Sequence, residues 1–316
     1  MNSSQPRRAA PSATTPTPMP THRPAPGPVH CLQDLGCELG EGLMWSERQQ
    51  ALYWVDILAR RLYRWDLSAA EPRHWDFAEE ISALAERAGA PGLLLALRRG
   101  FALFDPDADT EPRYRHQPEP ERQGNRFNDG KCDAQGRFWA GSMDFACQAP
   151  TGALYRHDGD GNCTLHDDGF AVTNGPTWSG GGMFFNDTVH GLTYRYDFDA
   201  ATGRLSNRTL WKRWASEDGV PDGMTTDAGG RLWIAHWGGG CVTCHDPASA
   251  EELARIDLPV SQVTNCAFGG PGLTTLFITS ARVGLSPAQL QAEPLAGALF
   301  GVSLDVAGQP AHLFGG

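Results

Sequence analysis

Nowhere does the chain carry a run approaching the roughly 20 uncharged apolar residues that a membrane-crossing helix requires, so no membrane partner is expected. Positive charge is also scarce. Lys and Arg number 26 against 37 Asp and Glu, a formal net charge of −11. No stripe gathers basic residues with aromatics, so the footprint of a nucleic-acid binder is missing. Two catalytic signatures are absent as well: there is no G-x-S-x-G elbow and no H-E-x-x-H helix, leaving serine-elbow and zincin chemistry unsupported. The 8 cysteines are scattered through a long chain and read as free thiols of a reducing compartment. A cytoplasmic location is expected on that ground. The Arg7-Arg8 pair does not alter it, because Ala, Pro and Thr follow instead of the apolar segment of an export signal.

Turn formers and tryptophan are plentiful, with 37 Gly, 23 Pro and 10 Trp in 316 residues, a composition that suits a turn-rich globular protein. Residues 1–28 are proline-dense and contain Arg7, Arg8 and Arg23 but no acid. Such a segment cannot offset its ordering entropy by burial, so a disordered tail is expected there and one folded domain over 29–316.

Within that domain, short aromatic or β-branched cores recur about every 45 residues. They are Tyr53-Trp54-Val55-Asp56, Leu94-Leu95-Ala96-Leu97, Phe138-Trp139-Ala140-Gly141, Phe184-Phe185-Asn186-Asp187, Leu232-Trp233-Ile234-Ala235 and Leu276-Phe277-Ile278-Thr279. Each is followed by a partner run, such as RLYRWD (61–66) or LTYRYDFD (192–199), and turns such as DAQGR (133–137) and DAGGR (227–231) provide the punctuation. The spacing matches four-stranded blades, and the expected fold is all-β, a six-bladed β-propeller of four-stranded antiparallel blades. Two independent β-sandwiches would call for a linker in mid-chain, and none is visible. Helical periodicity is almost absent: ISALAERAG (81–89) reads as a short helix or as a strand with its loop, and PAQLQAEP (287–294) as a helical turn.

A propeller brings loops from several blades together at one mouth of its channel, so polar residues at equivalent blade edges are the ones to weigh. Four segments qualify: Gly40-Glu41-Gly42, Arg126 to Lys131, Thr173 to Pro176 and Pro221 to Met224, each expected just before a blade's inner strands. Their oxygen donors beside glycines suit a hard or borderline divalent cation, although any one of them alone is an ordinary turn. Cys241 and Cys244 have C-x-x-C spacing, but positions i and i+3 of a strand face opposite ways, so both are expected to pack. His236 and His245 read as hydrogen-bonded bystanders, and the tryptophans as packing between blades.

The segments LGEGLMW (39–45), YWVDI (53–57), NRFNDGKCDAQGRFWAGSM (125–143), TNGP (173–176), PDGMTTDAGGRLWIA (221–235) and CAFGG (266–270) with TSAR (279–282) closely resemble the regucalcin/gluconolactonase/luciferin-regenerating family, and within it the bacterial sugar lactonases. The resemblance implies a metal-dependent hydrolase that opens a sugar (aldono-1,4- or 1,5-) lactone to the aldonic acid within pentose or hexose oxidation. It implies Glu41, Asn174 and Asp222 as metal ligands, Asp222 also as the catalytic acid/base, and Arg126 and Asn128 as substrate-binding residues. An acidic residue often follows the turn after Met143 in this family. Here the chain reads GSMDFACQ (141–148), so Asp144 stands in as the candidate substrate contact. The cation is one divalent ion among Ca²⁺, Zn²⁺, Mn²⁺, Mg²⁺ and Fe²⁺, between which oxygen ligands alone do not choose. The partner is a small sugar lactone, with the protein a monomer or weak homodimer. A phosphotriesterase-like hydrolase on the same metal and a non-enzymatic calcium-binding propeller are the alternatives.

Overall fold

Aromatic and β-branched side chains suit a pleated surface buried on both faces. Each of the six cores named above forms the second strand of a four-stranded antiparallel sheet in the computed structural model, which describes residues 22–316. The expected hairpins are present, with Tyr53 opposite Arg64, Trp139 opposite Arg156 and Trp233 opposite Cys244. The six sheets are the expected propeller blades.

The polar motifs do not precede the inner strands, as the sequence suggested; they are the inner strands. Gly40–Ser46, Ile81–Glu86, Asn125–Cys132, Thr173–Ser179, Val220–Thr226 and Val263–Gly269 line the channel, and the aromatic cores lie one strand outward. The ambiguous segment at 81–89 thus begins with a strand, buried along its whole length. Pro287–Ala292 is an α-helix whose start is fixed by a reciprocal cap between Ser286 and Gln289. No helix among the described residues is long and apolar enough to cross a membrane.

Both ends of the chain meet in the sixth blade. Its fourth strand is Pro26–Gln33, which pairs antiparallel with Leu299–Leu304 through Val29 opposite Val302 and Cys31 opposite Phe300. Of the tail expected over 1–28, residues 1–21 lie outside the described residues, and Pro26 to Pro28 already belong to this strand.

Packing between blades mixes aromatic with aliphatic side chains. Trp54, Trp139 and Trp233 are fully buried, and Trp139 meets Phe198 of the next blade edge-on with centroids 5.9 Å apart. The two D-A-x-G-R turns share one latch. Asp227 accepts from Arg231 Nε at 2.7 Å and Trp233 Nε1 at 3.1 Å, while Asp133 accepts from Arg137 Nε at 2.6 Å and Trp139 Nε1 at 2.9 Å. All eight cysteines are free, with Cys241 and Cys244 buried in the strand that contains them. After the last strand, the chain crosses the far end of the channel as a strap. Gln309 N bonds Thr226 O at 3.3 Å, Phe314 N bonds Glu86 O at 2.8 Å, and Gly315 N bonds Gly136 O at 2.9 Å.

Candidate active site

Every innermost strand breaks register once against its neighbour. Four of these breaks fall on the polar motifs, between Glu41 and Met44, Phe127 and Gly130, Asn174 and Thr177, and Pro221 and Met224. A bulge of this kind interrupts strict alternation and re-aims a side chain. It also explains the glycine after each polar residue. Gly42 has φ +60°, and a Cβ there would lie 2.8 Å from the Ser82 carbonyl oxygen of the next blade. Gly42→Ala is therefore expected to cost about 1–2 kcal/mol from the left-handed backbone alone and to displace the neighbouring Glu41. A lowered thermal midpoint together with lost activity would show both effects.

The bulges gather a buried polar pit at the N-terminal ends of the inner strands. Glu41, Asp129 and Asp222 are 3%, 2% and 5% exposed. Glu41 Oε2 accepts from Gly42 N at 3.0 Å and from Asn265 Nδ2 at 2.7 Å. Asp129 accepts from Gly130 N at 2.7 Å and Gly175 N at 2.9 Å. The Asp222 carboxylate takes no side-chain hydrogen bond among the described residues, whereas its backbone carbonyl accepts from Asn186 Nδ2 at 2.6 Å.

Asn128 links the motifs. Its Nδ2 donates to Thr173 O at 2.7 Å and Asn174 Oδ1 at 3.1 Å, and its Oδ1 accepts from Arg126 Nη1 at 2.6 Å. Asn174 Nδ2 in turn donates to Thr188 Oγ1 at 2.8 Å. The structure thus joins Arg126, Asn128 and Asn174 in one chain of contacts, while Gly175, next to Asn174, bonds Asp129, and Asn265, bonded to Glu41, lies against Gly223 beside Asp222.

Burial, and then the charges of the other acids, push the Glu41 and Asp222 carboxyls well above the usual carboxylate range. Burial also raises Asp129 against the opposing pull of Lys131, and it lowers Arg126. Three buried acids against Arg126 and Lys131 leave negative charge in excess, which is costly unless a further cation joins them. Among the described residues no three His, Cys, Asp or Glu side chains converge as a metal site. The expected donor set is instead two acids and an amide. Glu41 Oε1, which accepts from no donor among the described residues, the Asp222 carboxylate and Asn174 Oδ1 are oxygen donors of the type a hard divalent ion takes, so the residues fit such an ion.

Asp144 lies across the strand pair from Asn125, next to Arg126. Its carboxylate accepts from the backbone N–H groups of Ala146, Gln148 and Ala149 at 3.2, 3.0 and 2.9 Å, so it caps its own turn. Sequence reasoning assigned no role to Asp129, Asn265, Glu80 or Phe145. The only signal for Asn265 is a polar residue inside the apolar run VTNCAFG, and Asp129 resembles a turn former. His236 and His245 are bystanders as expected, both bonded to the Thr243 hydroxyl at 2.7 and 2.9 Å.

A cavity of about 370 Å³ occupies the opposite end of the channel, lined by Met44, Trp45, Trp178, Thr226 and His312 among others. It reaches the pit at Asp129 and Gly130, where Lys131 Nζ donates across the channel to the Met224 carbonyl. The strap at 309–312 closes its outer side.

A family model described as "SMP-30/Gluconolactonase/LRE-like region" matches residues 39–282. YvrE of Bacillus subtilis (strain 168) is 35% identical over 285 residues, covering 90% of this chain and 97% of that protein. Pentonolactonase XacC of Haloferax volcanii is 37% identical over 254 residues, covering 78% and 83%. The crystal structure of a calcium-binding protein, regucalcin, from Agrobacterium tumefaciens str. C58 superposes with a TM-score of 0.85 at 28% identity, covering 90% of this chain and 96% of that one.

Proposed function

The chain belongs to the SMP-30/gluconolactonase/LRE-like family, and from that membership we propose that it is a divalent-metal-dependent hydrolase opening an aldono-1,4- or 1,5-lactone to its aldonic acid. Membership supports lactone hydrolysis in general, the pentonolactonase XacC being one relative so named. The observation that carries the finer reading is the buried set of Glu41, Asn174 and Asp222, whose excess negative charge and under-used oxygens favour a cation.

When bound, the cation would polarise the lactone carbonyl and lower the pKa of a water. Glu41, Asn174 and Asp222 would hold it. Asp222, whose carboxylate has no competing side-chain partner, accepts a proton from the attacking water and returns it to the ring oxygen as the ester C–O bond breaks. The water oxygen ends in the new carboxyl group, and the old ring oxygen becomes a hydroxyl. Arg126 and Asn128 hold the substrate hydroxyls, so that the carbonyl meets the water in one pose. Because Asn128 also donates to Asn174 Oδ1, the sugar-binding and cation-binding groups are fixed relative to each other. Asp144 contributes through the turn that it caps. The proposal includes a step in pentose or hexose oxidation, after a sugar dehydrogenase acting at C1, in the cytoplasm, by a monomer or weak homodimer.

The test is hydrolysis of a panel of fresh five- and six-carbon aldonolactones by chelator-stripped protein, with Ca²⁺, Mg²⁺, Mn²⁺, Zn²⁺ and Fe²⁺ returned singly. Chelation should cost on the order of 100-fold or more in turnover, restored by at least one cation. Activity indifferent to chelation would overturn the metal assignment. Metal binding with no lactone opened would point to a phosphotriesterase or a calcium-binding propeller.

A further inference from the structure

At the rim of this polar pit stands one large apolar side chain with much of its surface in water. Phe145 is 37% exposed. Its ring centroid lies 5.7 Å from Arg126 Cζ and 5.0 Å from Arg98 Cζ. Arg126 is buried below it, with Nη1 bonded to Asn128, and Arg98 lies at the rim, 3.6 Å from Glu80. An entering molecule that reaches Arg126 therefore meets the phenyl ring.

The loop holds the ring firmly. Phe145 N donates to Gly124 O at 2.9 Å, and the Asp144 carboxylate binds three N–H groups of the residues that follow. An aromatic held in place at the entrance to a polar pit offers an apolar face to a molecule that enters. The other groups named in the pit, Glu41, Asp222, Arg126, Asn128 and Asn174, are all polar, so this wall differs in kind from the rest.

On the premise that the site opens lactones, we infer that Phe145 is a specificity-determining residue that lies against the bound ring. The preferred substrates are lactones that turn a C–H face or an alkyl substituent toward the third blade and their hydroxyls toward Arg126 and Asn128. A hydroxyl pressed against the phenyl would lose its water and gain no partner, whereas a C–H or methyl group loses nothing.

The experiment compares kcat and KM of the wild type, Phe145→Ala and Phe145→Gln on a pentono-1,4-lactone and on its 2-deoxy and 5-deoxy counterparts. In both variants, efficiency on at least one deoxy lactone relative to the parent should fall on the order of tenfold, the scale of one apolar contact in a pocket, with KM moving more than kcat. Unchanged ratios would overturn the inference. So would an equal loss on all three substrates, which would mean that the ring only shields Arg126. A wild type that opens none of the three, nor any other lactone of the five- and six-carbon panel, would bring down the lactonase reading and this inference with it. A wild type active on them with unmoved ratios would bring down this inference alone.

Discussion

Asp222→Asn should lower kcat for lactone opening by roughly a thousandfold or more, while the protein stays folded. The amide keeps the size of the side chain and one oxygen for a cation, but it cannot take a proton from water. The effect should therefore fall on kcat before KM. Stability should be maintained or rise, because Asp222 is buried with Glu41 and Asp129 nearby and their charges oppose its ionisation. Removing one of three like charges from a buried site relieves the fold. Circular dichroism and a thermal melt, run beside the kinetics, separate the two outcomes. A folded Asp222→Asn protein that retains turnover would remove Asp222 from the chemistry. A variant that loses both activity and its thermal midpoint would make Asp222 a structural residue.

The second large effect concerns the fold. Asp227→Ala should destabilise the protein by roughly 3–5 kcal/mol, because it strands a buried guanidinium. Arg231 has 4% side-chain exposure and lies 2.7 Å from Asp227, which also accepts from the Arg231 backbone N–H and from the Trp233 indole. In a chain of this length the thermal midpoint should drop on the order of 10 °C. The penalty comes mainly from the uncompensated charge, so Asp227→Ala combined with Arg231→Met should recover a substantial part of it. A double variant no better than the single one would show that the pair is worth its contacts and not merely its balance. The matching latch in the third blade should cost less, since Arg137 is 11% exposed against 4% for Arg231.

These two latches were legible as turns, D-A-x-G-R before an aromatic strand, but their charge pairing was not, because the same residues would make the turn without it. The blades were legible for a related reason. Runs such as YWVD and LWIA are strongly apolar and bounded by Gly and Asp turns, so their spacing reveals the repeat. The strands inside them were harder to see. Gly40–Ser46 is buried at every position, so it shows no alternation, and its bulge breaks whatever period remains. Ile81–Glu86 is equally buried and rich in Ala and Leu, which suit a helix.

In the pit, Glu41, Arg126, Asn128, Asn174 and Asp222 stand out as polar residues that no turn fully explains. Asn265 cannot be found the same way, since its partner Glu41 lies 224 positions away in the sequence. Asp144 shows the opposite problem: an acid at the right place in the chain whose three N–H partners are its own neighbours.

The seam in the sixth blade sets the order in which the molecule can be made. Pro26–Gln33 is the first of the described strands in the chain, yet the edge it completes, Leu299–Leu304, is the last of them. The earliest strand must therefore wait unpaired while five blades form behind it, and the ring shuts only when the final one arrives. Joining chain segments so far apart in sequence has a loop-closure cost that no other blade bears. Until those two strands pair, the ring has one open edge on each side of the seam, and each edge is a row of backbone N–H and C=O groups without partners.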